Sequence, residues 1–284
     1  MNGSEVISKA AKIKSVPVIL LLAAVVLAIW QHWPAPTKPR LAGIHERWRP
    51  DLSTIQSISD ALPVVSDYIS KQVGTRDERV ARGVDAFVRD RFVQGFSYIP
   101  VRDNWLLKAT FGLKSDDYRS PVDADDILRH RHAICSQQSI VFMELLRHYG
   151  ISYGAVLFEW PDPDPLYHGH FAVAALVDGH WRYFDPDLEV VGSPLVRSMI
   201  DGTAIADAYP SNPRLVERMT YAAAHGGIAL AHVNTYAAPR GKLLQDFTHG
   251  MSILTPIILV TAALVLFIMQ TRRPRGSRKG LTLN

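Results

Sequence analysis

The stretch HGHFAVAALVDGHWRYFDP, residues 168–186, decides how this chain folds. At its centre, Asp178–Gly179 is a dipeptide suited to a two-residue hairpin turn, whose two positions both need positive φ. The apolar runs on either side read as strands, His168–Val177 and His180–Phe184. With the turn at 178–179, Val177 opposes His180 and, counting outward, Ala172 opposes Asp185. Opposed residues share a face, and so do residues two apart. His168, His170, Ala172, Trp181, Tyr183 and Asp185 therefore line one face, and Phe171, Val173, Val177, Arg182 and Phe184 the other. Asp185 is diagonal to His170, near enough for its carboxylate to hold one imidazole nitrogen, orient the ring and favour its cationic form. His168 shares that face but lies farther from Asp185.

Upstream stands the only cysteine of the chain, Cys135. The helical spacing of Val141, Phe142, Leu145, Leu146 and Tyr149, closed by Gly150, predicts a helix over 136–149 with Cys135 at its start. Unpaired N–H groups and the helix dipole favour a thiolate at that position, and the Cys135 N–H points towards a developing oxyanion. Nucleophile, base and orienting acid are thus all present. Asn104, Trp105 and Gln137 are candidates for a further oxyanion donor. His130 and His132 add imidazoles near Cys135, but the spacings match no standard zinc module. The sequence reading assigns no metal and no cofactor.

Around this core, 55–73 reads as an amphipathic helix broken at Pro63, and 76–96 as a clearer helix with Val80, Val84, Phe87, Val88 and Phe92 on one face. A short strand is expected over 98–101, a loop or lid over 104–121, a helical turn over 123–128 and a strand over 151–160. A Pro–Asp loop follows at 161–165, and 195–247 reads as mostly helical or irregular.

Residues 121–156 and 168–186 together resemble the transglutaminase-like superfamily, whose fold is a permuted papain-like one. The resemblance rests on Asp125–Asp126–Ile127–Leu128, Cys135–Ser136, Glu144–Leu145–Leu146–Arg147 through Gly150–Ile151, His170–Phe171, Asp178–Gly179–His180–Trp181 and Asp185–Pro186. It implies an α+β papain-like core in which a Cys-bearing helix packs on an antiparallel sheet carrying His and Asp. It assigns Cys135 as nucleophile, His170 as general base and acid, and Asp185 as orienting carboxylate. Two departures stand out. Ala133 replaces the glycine often found two residues before the Cys, and Ile134 and Ser136 lack the acidic character of calcium-dependent relatives.

Two apolar stretches flank this core. Residues 250–269 carry no charge and match a bilayer core of about 30 Å; residues 16–33 do so with help from their flanks. Lys9, Lys12 and Lys14 precede the first, while Arg272, Arg273, Arg275, Arg278 and Lys279 follow the second. The positive-inside rule makes both ends cytoplasmic and the middle extracytoplasmic. Trp30–Gln31–His32–Trp33–Pro34 is a poor signal-peptide cleavage context, so the first span is read as an uncleaved anchor. With those eight cations and Glu5 set aside, the remainder holds 23 of the 31 basic and 26 of the 27 acidic residues. The folded part is slightly acidic, which excludes nucleic acid as a partner.

The organisation read from sequence is a cytoplasmic N-terminus (1–15), transmembrane helix 1 (16–33), linker (34–54), transglutaminase-like domain (55–192), helical extension (193–249), transmembrane helix 2 (250–269) and basic cytoplasmic tail (270–284). This layout suits a two-pass protein of the bacterial inner membrane with its main domain in the periplasm. The functional expectation is a thiol enzyme, a cysteine protease, amidase or acyltransferase, that acts on amide bonds of a protein or peptide through a Cys thioester. The competing expectation is a non-catalytic scaffold beside other envelope membrane proteins, such as polysaccharide synthesis or export machinery. The lipid bilayer is the remaining partner.

Overall fold

The computed structural model describes residues 3–31, 47–161 and 169–272. His168, most of the Pro–Asp loop, most of the 34–54 linker and the basic tail beyond 272 lie outside the described residues. The chain is mixed α+β and divides into two compact units. One comprises 1–35, 100–118 and 244–284, the other 36–99 and 119–243.

The larger unit is built on a four-stranded antiparallel sheet in the order β5–β4–β3–β6. Its strands are β3 (Tyr153–Glu159), β4 (Gly169–Val177), β5 (His180–Phe184) and β6 (Ile228–Ala231). The β4–β5 hairpin has the register expected from its turn, with Val177 opposite His180 and Val173 opposite Phe184. Asp178 and Gly179 take φ of 50° and 78°, which glycine adopts without cost and aspartate tolerates. A second, two-stranded parallel sheet joins β1 (Val93–Gln94) to β2 (His132–Ala133), the segment just ahead of Cys135.

Each face of the large sheet is covered by helices. On one face, Val173, Ala175, Val177 and Phe184 pack against α2 (Ile58–Ser70), α3 (Arg76–Arg91), α5 (Ala124–Leu128) and α6 (Cys135–His148). Here Phe87, Val141, Phe142, Leu145 and Leu146 are fully buried. On the other face, Val156, Phe158, Ala172, Ala174 and Tyr183 pack against residues of α7 (Val196–Ile200), α8 (Ile205–Ala208) and α9 (Pro213–Ala224), with Met199, Ile205 and Met219 fully buried. Burying both faces explains why β4 is nearly continuous in apolar residues instead of alternating.

Several local expectations change. Helix α2 runs through Pro63 without a break. The hydrogen bond that Pro63 forfeits would have gone to the carbonyl of Ser59, which is exposed, and the buried stripe Ala61, Val65 and Tyr68 holds the helix together. Helix α3 stops at Arg91 instead of 96, because Val93–Gln94 pairs with β2. No strand forms over 98–101, and 105–110 is helical (α4, Trp105–Thr110) within the expected loop. The region after 195 also contains β6, which helical patterning did not reveal.

The smaller unit contains α1 (Gly3–Gln31), α4 and most of α10 (Pro239–Arg272). Helix α1 passes through Pro17, which lies in its interior. Its apolar part, Ser15–Ile29, is short. Helix α10 continues through Pro256, and among the described residues it is the one helix long and apolar enough to cross a membrane. Ile253, Leu254, Ile257, Leu264, Val265, Phe267 and Met269 all stand exposed on it.

Candidate active site

The site is assembled within the larger unit, from both sides of its sheet. Cys135 opens α6, whose apolar stripe docks on the first face, while Ser139 Oγ donates to Phe171 O at 3.1 Å and ties the helix start to β4. The position is fixed from below by Gln137. Its Oε1 accepts from Ile134 N–H at 3.1 Å, and its Nε2 donates to Ser120 Oγ and Pro121 O at 3.0 and 3.2 Å. Cys135 is partly exposed and lines a cavity of about 780 Å³. Phe158, Glu159, Trp160, His170, Tyr221 and His225 contribute to the wall.

His170 lies on β4, on the opposite face from the α6 contact, and is only 8% exposed. Its Nε2 meets Asp185 Oδ2 at 2.6 Å, which leaves Nδ1 for Cys135, whose sulfur lies within 4.8 Å of a ring nitrogen. Asp185 is 1% exposed and fully satisfied. Oδ1 accepts the backbone N–H groups of Asp187 and Leu188, each at 3.1 Å, and Oδ2 also accepts the Tyr209 hydroxyl at 2.5 Å. Tyr209 in turn meets the Tyr183 hydroxyl at 2.6 Å.

These contacts fix the charges. Burial alone would strip His170 of its proton, but Asp185 and Cys135 outweigh it and hold the imidazole well above its ordinary range. Burial likewise opposes the Asp185 anion, yet the His170 charge and the hydrogen bonds of His170, Tyr209 and Leu188 keep its carboxyl below the ordinary value. Burial, then the charge of Asp185, pushes both tyrosines up well above theirs. The arrangement is a held imidazolium–carboxylate pair beside a sulfur.

Four residues of the site escaped the sequence reading. Asp187 places a carboxylate oxygen within 4.8 Å of both the Cys135 sulfur and a His170 ring nitrogen. Two amides grip it, Gln94 Nε2 on Oδ2 and Gln138 Nε2 on Oδ1, each at 2.8 Å. Burial, followed by the charge of Asp185, raises the Asp187 carboxyl to about 7. Tyr209 is the fourth, buried behind Asp185. Gln94 carried no signal because it reaches the site only through the β1–β2 pairing, and Tyr209 none because it lies 24 residues past its partner. Asp187 did leave a trace, an acid two residues after Asp185 across a proline.

The three residues weighed as oxyanion donors are all engaged elsewhere. Gln137 is saturated as described above. In the smaller unit, Asn104 Nδ2 donates to Gln245 O and Thr248 Oγ1, and Trp105 Nε1 donates to Ser252 O at 2.9 Å. His130 and His132 are not among the side chains that converge on Cys135 within metal-binding distance.

Comparison with protein-family models, curated proteins and solved structures gave no significant match. What stands on the geometry is a Cys–His–Asp group in an α+β fold.

Proposed function

We propose that this chain is a membrane-anchored, extracytoplasmic thiol enzyme with a transglutaminase-like, papain-related core that cleaves or transfers amide bonds. The observation that carries the reading is the hydrogen-bonded series Tyr209–Asp185–His170, which sets a ring nitrogen within 4.8 Å of the Cys135 sulfur at the wall of a cavity. Purely structural buried cysteines need no such arrangement.

The chemistry follows from the contacts. The Cys135 sulfur attacks the amide carbon, forming the S–C bond as the carbonyl π pair moves to oxygen. The Cys135 N–H at the helix start faces that oxygen. As the C–N bond breaks, His170 Nδ1 gives its proton to the departing amine, while Asp185 keeps hold of Nε2. Water or an amine then attacks the thioester, returns a proton to His170 and releases Cys135. Water as acceptor makes the enzyme a protease or amidase, and an amine makes it a cross-linker.

The membrane reading is supported by the exposed apolar surface of α10 and of Val18, Ile19, Leu22, Val26 and Ile29 on α1, a surface costly to leave in water. With cations outside both stretches, the proposal is two spans, both termini cytoplasmic and the larger unit periplasmic.

The experiment is labelling of the detergent-solubilised protein with an electrophilic thiol probe, the adduct being located by mass spectrometry. Rapid labelling of wild type, abolished by Cys135→Ala and greatly slowed by His170→Ala, is expected. A wild-type thiol no faster than free cysteine, in a protein that co-purifies with a stoichiometric envelope partner, points to a scaffold instead. Because Cys135 is the sole cysteine, a membrane-impermeant maleimide applied to spheroplasts tests topology in the same protein. Labelling only after lysis places the domain in the cytoplasm and overturns the orientation.

A further inference from the structure

We propose that Cys135, His170 and Asp187 form a reversible site for a thiophilic divalent cation, zinc foremost, that turns the nucleophile off. The inference rests on the reading above only in taking Cys135 as the nucleophile; the donor geometry stands independently.

The Cys135 sulfur, a His170 ring nitrogen and an Asp187 carboxylate oxygen all lie within 4.8 Å of one another. Around a tetrahedral ion with donors at about 2.0–2.3 Å, neighbouring donors stand about 3.5 Å apart. Convergence therefore asks for side-chain shifts of about an ångström and no change in the fold. The mixed S, N and O set suits zinc; calcium and magnesium want oxygen alone.

Three further features favour a metal at this point. Asp185 holds His170 Nε2, which supplies the carboxylate–histidine–metal arrangement that orients a ligand imidazole and raises its basicity. The amides of Gln94 and Gln138 grip Asp187, one on each oxygen, so the carboxylate is aimed by partners of its own and still keeps lone pairs for an ion. The Cys135–His170 side of the cluster opens on the cavity, leaving a fourth position to water. Three protein ligands and one open position are the pattern of an exchangeable site, whereas purely structural zinc is closed off by four.

Asp187 also lacks a purpose in the acyl-transfer steps. It makes no hydrogen bond to His170 among the described contacts, and a third donor beside the sulfur and the imidazole serves a cation, not acyl transfer. On binding, the ion takes the sulfur and nitrogen lone pairs, and any proton on those two atoms passes to solvent. Attack on an amide cannot begin until the ion leaves.

The test uses full-length, detergent-solubilised, chelator-treated protein and zinc chloride. Zinc stoichiometry is read by competition with a chromophoric chelator, and occupancy of the site by the rate of Cys135 alkylation. One zinc per chain is expected, with alkylation slowed about 10-fold at free zinc ten times the Kd. EDTA reverses the effect, and calcium and magnesium leave the rate unchanged. Asp187→Asn, shown to be folded by its thermal transition, removes one of the three donors and weakens zinc by about 100-fold or more, at or above the range that even an outer-shell partner is worth. Unslowed alkylation at saturating zinc, or equal zinc affinity in wild type and Asp187→Asn, overturns the proposal. A sluggish thiol in metal-free wild type would count instead against the thiol-enzyme reading, so the two failures are distinguishable.

Discussion

The two faces of the four-stranded sheet make an instructive pair. One is covered by α2, α3, α5 and α6, all from sequence before the sheet, and it supplies Cys135. The other is covered by α7, α8 and α9, from sequence after the hairpin, and it backs His170 and Asp185 with Tyr183 and Tyr209. The first face delivers a reactive atom on the end of a rigid helix. The second holds a charge state. Neither alone makes a site, and the sheet between them fixes the distance.

The largest effect should come from the residue that bridges the faces. His170→Ala is expected to lower turnover of a peptide amide by about 10²–10⁴-fold, the usual worth of a positioned acid–base. Turnover within a few-fold of wild type would leave the second face without a chemical role. Next come the cores. Phe142→Ala on the first face should cost about 3–5 kcal/mol, and Met199→Ala on the second about 2–5 kcal/mol, in thermal or denaturant unfolding. Both residues are fully buried. A Met199→Ala protein whose main transition does not move would show that the second face melts separately.

The charge pair gives a pH signature. Folding holds His170 above its ordinary 6.5 and Asp185 below its ordinary 3.8. The His170 share of stability is complete below pH 6.5 and is lost as pH rises through its folded value. The Asp185 share is complete above pH 3.8 and is lost as pH falls through its folded value. The gap in unfolding temperature between wild type and Asp185→Asn should therefore be widest between these limits and narrow on both sides. A gap that does not vary with pH would mean the pair is not ionised.

A smaller loss is expected for Tyr209→Phe. Removing a hydroxyl from a carboxylate should cost about 1.5–3 kcal/mol and lower the upper limb of the pH profile, since Asp185 then holds the imidazolium less firmly. An unshifted limb would reduce Tyr209 to packing. Smallest is Gly179→Ala, where a φ of 78° makes a side chain cost about 1–2 kcal/mol. It should slow folding of the hairpin more than it alters the site.

The hairpin, its register and the common face of His170 and Asp185 could be read directly, because a two-residue turn and the period-2 alternation of strands leave little freedom. The helix behind Cys135 was legible too, from the spacing of Val141, Phe142, Leu145 and Leu146. The end of α3 was not, because propensity continues past Arg91 and only pairing with β2 stops it. Nor was β6, four residues long, whose strand state comes from the edge of β3.

Sequence alone determined the charge distribution, the two apolar stretches, the lone thiol and the local geometry of the hairpin, since each depends on residues near one another in the chain. Tertiary structure decided which distant groups reach the sulfur and what their charges become. Gln94, Asp187 and Tyr209 acquire their roles only through folding, by pairing across strands and by exclusion of water, and neither process is written in local spacing.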